Sequence, residues 1–147
     1  MKTLVSKSIF LLFPIVLTAQ FSPKHRISNY NNWTRTVFSA DIDGDGDMDI
    51  LAASLSDDKI SWYENMDGQG KFSAQKNIST KSNIAESVFA FDLDFDGDLD
   101  VIAGSRGDNT VAWFENLDGK GSFSGENIIS NQAFGVKSVT AQDIDGD

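Results

Sequence analysis

Residues 41–49 of this chain read Asp41-Ile42-Asp43-Gly44-Asp45-Gly46-Asp47-Met48-Asp49, and residues 92–100 read Asp92-Leu93-Asp94-Phe95-Asp96-Gly97-Asp98-Leu99-Asp100. A third copy starts another 51 residues on, as Asp143-Ile144-Asp145-Gly146-Asp147. These loops hold 13 of the 22 acidic residues. Neighbouring carboxylates repel by about 1 kcal/mol per pair in water, and by more at a lower effective dielectric. Carboxylates at alternate positions therefore indicate a hard cation among them.

The repeat extends well beyond the acidic loops. Three other motifs recur at the same interval of 51 residues. A Trp-aromatic-Glu-Asn motif lies at 62–65 and 113–116, an Asp-Gly-x-Gly turn at 67–70 and 118–121, and a Phe-Ser pair at 72–73 and 123–124. A period near 50 residues is typical of propellers and related arrays. The chain is therefore predicted to contain about two and a half copies of one structural unit.

Each unit is predicted to contain four short strands and no helix. In the second copy the strands are expected at 87–91, 101–105, 110–116 and 122–129, because these segments are rich in Val, Ile, Phe or Trp and are bounded by turn residues. Four strands per repeat predict an all-β fold of β-propeller blades, each with four antiparallel strands. Counted from Phe21, the units are 21–71, 72–122 and an incomplete 123–147, within a partial propeller at 20–147.

The first 19 residues have the pattern of a signal peptide. Lys2 and Lys7 precede an apolar stretch at 9–17, and Thr18-Ala19-Gln20 resembles a cleavage site. The apolar stretch is shorter than the roughly 20 residues of a membrane span. The alternative is a buried N-terminal strand or helix. Export predicts a secreted or cell-surface protein, in a compartment where calcium is plentiful.

Composition excludes several functional classes. The net charge of −10 argues against nucleic acid as a partner and against a polybasic membrane patch. Cysteine is absent, which excludes disulfides and thiolate metal sites. His25 is the only histidine and has no partner motif, so the sequence offers no nucleophile–base arrangement.

The spacing within the acidic loops favours calcium. With Asp41 as position 1, carboxylates occupy positions 1, 3, 5 and 9, glycine at position 6 permits a sharp turn, and position 7 is expected to offer its backbone carbonyl. An EF-hand is rejected, because position 12 is Ala52 or Ala103 instead of glutamate. A metal-free Asp/Gly turn is the alternative. The candidate Ca²⁺-binding residues are Asp41, Asp43, Asp45, Asp47, Asp49, Asp92, Asp94, Asp96, Asp98, Asp100, Asp143, Asp145 and Asp147.

These loops, followed by Trp-aromatic-Glu-Asn and Asp-Gly-x-Gly, resemble the FG-GAP/VCBS repeat family of integrin α-subunit propellers and secreted bacterial proteins. The resemblance covers Phe21 to Asp147. It implies that the aspartates at positions 1, 3, 5 and 9 of the two complete loops are calcium ligands. The Gly-Ala-Pro that names the family is replaced by Ala52-Ala53-Ser54 and Ala103-Gly104-Ser105. This places the chain with the bacterial type and leaves integrin-style ligand binding unsupported.

The functional hypothesis is a non-catalytic module that binds an extracellular protein or glycan. The alternatives are a scaffold propeller of a larger enzyme, such as a polysaccharide lyase or hydrolase, and a passive spacer in an adhesin. Two local features allow competing interpretations. Arg106-Gly107-Asp108 is either a plain hairpin turn or an integrin-recognition tripeptide, and Trp62 and Trp113 are either core residues or a platform for stacking sugars.

Overall fold

The sequence repeat is folded as two consecutive β-sheets with the same topology. The computed structural model describes residues 26–29 and 33–146, so the predicted signal peptide and Asp147 lie outside the described residues. The strands are β1 (Thr34–Ala40), β2 (Asp49–Ser54), β3 (Lys59–Tyr63) and β4 (Lys76–Ser79) in the first sheet, and β5 (Ala85–Phe91), β6 (Asp100–Ser105), β7 (Thr110–Phe114) and β8 (Asn127–Ser130) in the second.

Each sheet is an antiparallel meander in chain order, from β1 to β4 and from β5 to β8. No helix occurs among the described residues. The predictions of an all-β fold and of four strands per repeat are therefore confirmed. Each sheet has the form of a propeller blade.

The fourth strand of the second sheet is shorter than the sequence predicts. The expected strand at 122–129 is wrong at its start, because Phe123 forms only an isolated bridge to Asn116 before the chain bends. At this bend the amide of Ser124 donates to the carbonyl of Glu115 at 2.8 Å, and the Ser124 hydroxyl donates to the carbonyl of Gly125 at 2.9 Å. Regular pairing with β7 resumes only in β8.

The two sheets pack face to face along their first strands. β5 contacts β1, β2 and β3 of the first sheet. Phe38 and Phe89, which are 51 residues apart, lie with their ring centroids at 4.6 Å. One core cluster includes Leu51, Trp62 and Val101 from both sheets. The repeat therefore places equivalent side chains of successive units against one another.

Candidate metal centres

Each complete acidic loop joins the first two strands of its sheet. The first loop follows β1 and the second follows β5. The glycine at position 6 has a positive φ in both, at 92° for Gly46 and 100° for Gly97. Its amide donates to the carboxylate at position 1, Gly46 to Asp41 and Gly97 to Asp92, both at 3.0 Å. The turn predicted at this glycine therefore folds the loop back onto its first carboxylate.

The folded loops bring three carboxylates together in each sheet. In the first loop, one oxygen from each of Asp41, Asp43 and Asp45 lies within 4.8 Å of the other two. In the second loop the corresponding group is Asp92, Asp94 and Asp100. Positions 1 and 3 are thus shared by the two groups, and the third member is position 5 in one and position 9 in the other. Each group can hold a metal ion.

One carboxylate oxygen in each group is buried without a hydrogen-bond donor among the described residues. These atoms are Oδ1 of Asp43 and Oδ1 of Asp92. Burial raises the pKa of Asp43, and the charges of Asp49 and Asp45 raise it further. A buried polar atom that lacks a partner destabilises the fold by about 1–3 kcal/mol. A cation at the group would supply that partner and offset the repulsion between the carboxylates.

The carboxylates at position 9 have a second role, as internal acceptors. Asp49 is 1 % exposed and accepts from the amide of Ile42 at 3.2 Å and from the amide of Asn65 at 2.7 Å. Asp100, also 1 % exposed, accepts from the amides of Leu93 and Asn116. Burial raises the pKa of both carboxyls, although these amides lower it in part. Position 9 therefore joins the loop to the segment that follows the third strand of its own sheet.

The remaining predicted ligands lie outside the two groups. The side chains of Asp47 and Asp98 lie against Gly68 and Gly119 of the Asp-Gly-x-Gly turns, in space that a Cβ atom would fill. Asp96 is exposed and accepts from the amide of Asp98 at 2.9 Å. Asp143 and Asp145 begin the same turn in the third copy, where the amides of Asp145 and Gly146 donate to Asp143 Oδ1 at 3.2 and 2.7 Å.

Two asparagines at the loops were not identified from the sequence as functional residues. Asn65 donates from Nδ2 to the carbonyl of Met48 at 3.2 Å, and Asn116 donates to the carbonyl of Leu99 at 3.2 Å. Their Oδ1 atoms accept from the amides of Gly70 and Gly121. Each asparagine thereby holds an Asp-Gly-x-Gly turn against its acidic loop. The recurrence of Asn in the Trp-aromatic-Glu-Asn motif is the sequence pattern that could have identified them.

The structure also shows the surroundings of two motifs for which the sequence allowed competing interpretations. Trp62 is 2 % exposed, donates from Nε1 to Asp49 at 3.0 Å and lies edge-on to Phe123 at 6.5 Å between centroids. A sugar-stacking platform is therefore wrong for Trp62, which is a core residue. Arg106 of the Arg-Gly-Asp tripeptide donates to Glu86 at 2.6 Å, in the turn between β6 and β7. Its side chain is engaged within the protein.

Two four-stranded antiparallel blades, each with an acidic loop between its first and second strands, define the class as β-propeller-type repeats. The chain belongs to the FG-GAP-like repeat family, whose model matches residues 41–103 and 92–147. No curated protein and no solved structure matches it significantly. Such repeats are typically extracellular and generally non-catalytic. Over the described ranges, no helix has both the length and the apolarity needed to cross a bilayer.

Proposed function

We propose that each complete acidic loop binds one Ca²⁺ ion, and that the ions stabilise an extracellular β-propeller module that binds a protein or glycan. The observation that carries the metal assignment is a pair of buried oxygens, Asp43 Oδ1 and Asp92 Oδ1, that lie within the groups of three carboxylates and have no hydrogen-bond partner in the described part of the chain. Each loop contains one such oxygen, at position 3 in the first loop and at position 1 in the second. A metal-free turn would leave both oxygens without compensation.

Calcium fits these loops better than smaller or softer ions do. The candidate ligand atoms are all oxygens, which suits a hard cation and not a thiolate-seeking metal. Calcium accepts six to eight oxygens in flexible geometry, whereas magnesium requires a near-ideal octahedron. The two groups use different third carboxylates, position 5 in one and position 9 in the other. A cation that tolerates variable geometry fits both.

Thermal unfolding tests the metal assignment. Extracellular calcium sites have dissociation constants of roughly 10⁻⁴ to 10⁻³ M. Millimolar calcium should therefore raise the melting temperature, because an ion that binds only the folded state stabilises it by mass action. Chelator should remove the gain, and magnesium at the same concentration should give a smaller one.

Two variants test whether the calcium-dependent rise in melting temperature comes from the acidic loops. Asp94→Ala combined with Asp96→Ala should abolish the contribution of the second loop. Glu126→Ala, which changes an exposed carboxylate outside the loops, should keep the full calcium response. Identical melting curves in calcium and in chelator for the unaltered protein would contradict the assignment.

The binding role is tested separately on the calcium-loaded protein. A glycan array and a panel of extracellular matrix proteins should show saturable binding that is lost on chelation, because the ions stabilise the fold of the module. The doubly substituted second-loop variant should bind more weakly at the same calcium concentration. Absence of saturable binding to any glycan or protein would leave the calcium sites intact and reject the binding role.

A further inference from the structure

The two acidic loops are linked by a single buried side chain. Asn116, which is 0 % exposed, follows β7 of the second sheet. Its Nδ2 donates to the carbonyl of Ile42 in the first loop at 2.9 Å, while its own amide donates to Asp100 of the second loop at 2.8 Å. One residue therefore contacts the backbone of one candidate calcium loop and a carboxylate of the other.

The hydrogen bond from Asn116 to Ile42 lies between two members of the first carboxylate group. Ile42 stands between Asp41 and Asp43, which are both members of the first carboxylate group. A hydrogen bond to the Ile42 carbonyl fixes the peptide unit that leads into Asp43, and it therefore restricts the direction of that carboxylate. At the other end, Asp100 belongs to the second carboxylate group. Ordering of Asp100 by a cation thus restricts Asn116, and through it the first loop.

The two loops also lie side by side. A cavity of about 240 Å³ between them is lined by Asp41 and Gly44 of the first loop and by Gly97 and Asp98 of the second. A Cβ at Gly44 would lie 3.7 Å from the carbonyl oxygen of Gly119, in the turn that Asn116 holds. The first loop therefore rests on the second blade.

The chain contains an internal control for this arrangement. Asn65 is the equivalent residue 51 positions earlier, and it makes the same contacts within its own sheet, to Met48, Asp49 and Gly70. Among the described residues it makes no hydrogen bond to the other sheet. Replacing Asn65 removes the local role of this asparagine, whereas replacing Asn116 removes both the local role and the link.

We propose that Asn116 is a positioning residue that couples the two calcium loops, so that an ion in one loop increases the affinity of the other. This inference rests on the proposed calcium binding. Two sites are coupled when occupancy of one reduces the conformational freedom that the other must lose on binding. The coupling factor expected is about five-fold, the lower end of the usual range for allosteric coupling.

Calcium titration calorimetry on the full chain measures this factor. Asp143→Ala and Asp145→Ala are included throughout, so that the third acidic segment does not contribute. Asp94→Ala with Asp96→Ala isolates the first loop, and Asp43→Ala with Asp45→Ala isolates the second. The coupling factor is the product of the two association constants with both loops intact, divided by the product of the two isolated constants.

The proposal predicts a factor of about five in the otherwise unaltered protein and with Asn65→Ala, and a factor near one with Asn116→Ala. Three outcomes would each overturn the proposal: a coupling factor near one in the protein with Asn116 intact, an unchanged coupling factor in Asn116→Ala, or an equal loss of coupling in Asn65→Ala. Absence of calcium binding in every variant would reject the proposed calcium function and this inference together. Binding without coupling would reject the inference alone.

Hydrogen exchange provides a second measurement that leaves Asn116 unchanged. In the variant with Asp43→Ala and Asp45→Ala, made again with Asp143→Ala and Asp145→Ala, calcium can bind only the second loop. The proposal predicts that calcium then slows amide exchange in the peptide around Ile42, although the site of the first loop is disabled. Exchange there that is insensitive to calcium, while exchange around Asp100 slows, would contradict the coupling.

Discussion

Glu86 lies 51 residues after Arg35, and its Oε2 accepts a hydrogen bond from Arg35 Nε at 3.0 Å. The next residue in the same series, Lys137, also contacts Glu86, with its Nζ 3.2 Å from Oε1. Equivalent positions of three successive units thus carry charges of alternating sign that meet across the blades. Arg106 completes the arrangement, and the Glu86 side chain is only 3 % exposed. Charge alternation at one repeat position therefore helps to join the blades.

Replacement of Glu86 tests the importance of this cluster. Glu86→Gln should destabilise the protein by about 2 kcal/mol, because hydrogen bonds to charged groups typically contribute about 1.5–3 kcal/mol. Urea unfolding at neutral pH measures the loss. Glu126→Gln, at an exposed position, should change stability by less than about 0.5 kcal/mol. Equal effects of the two substitutions would show that the cluster does not join the blades.

The same cluster predicts a pH dependence of stability. Burial alone would raise the pKa of Glu86, but hydrogen bonds from Arg106, Arg35 and Lys137 outweigh burial and lower the pKa to about 2, from an ordinary value of 4.5. Because the folded-state pKa is depressed, the stabilisation is fully present above pH 4.5 and is lost as the pH falls towards 2. The difference in unfolding free energy between the unaltered protein and Glu86→Gln should therefore shrink over this interval, in metal-free buffer. A constant difference would contradict the ion-pair account.

Gly121 and Gly70 form a matched pair for testing how the blades dock. Both have positive φ, 81° and 94°, and both donate to the Oδ1 atom of an asparagine. A Cβ at Gly121 would overlap the ring of Trp62 in the neighbouring blade, whereas a Cβ at Gly70 would meet nothing within 4 Å. Both Gly→Ala changes carry the same backbone strain. Gly121→Ala should therefore be the more destabilising by about 1–3 kcal/mol, measured by urea unfolding followed through tryptophan fluorescence. Equal losses would show that Trp62 moves away freely.

Val88 and Val37 occupy the same position in successive blades but have different surroundings. Val88 is 2 % exposed beneath the first sheet, whereas Val37 is 60 % exposed. Val88→Asp should prevent folding, because it buries an unpaired charge. Val37→Asp should leave the melting temperature nearly unchanged and should reduce self-association in analytical ultracentrifugation, because it removes an apolar side chain from an open sheet face. Comparable destabilisation by both substitutions would contradict the observed packing.

The sequence predicted the features that depend on local pattern. The positions of the acidic loops, the turns at Gly46 and Gly97 and the number of strands follow from residue identity and from the repeat, so they could be found without coordinates. The start of β8 was missed because Phe123 looks like a strand residue, although hydrogen bonds of Ser124 bend the chain after it.

Interactions between blades were not predictable in the same way. The cluster around Glu86 joins unlike residues at one repeat position, so a search for identical residues passes over it. The bond from Asn116 to Ile42 joins residues 74 positions apart, and only the packing of the second blade on the first brings them together.

Calcium stoichiometry tests most directly the claim that the two complete loops are metal sites. Equilibrium dialysis against millimolar calcium should show that Asp43→Asn and Asp92→Asn each remove one bound ion from the chain, and that combining them removes two. Each substitution changes a carboxylate with a buried oxygen for which residues 26–29 and 33–146 provide no hydrogen-bond partner. Asp67→Asn, in a neighbouring turn outside both groups, should remove none. An equal calcium content in the unaltered protein and in the Asp43→Asn, Asp92→Asn double variant would contradict the account.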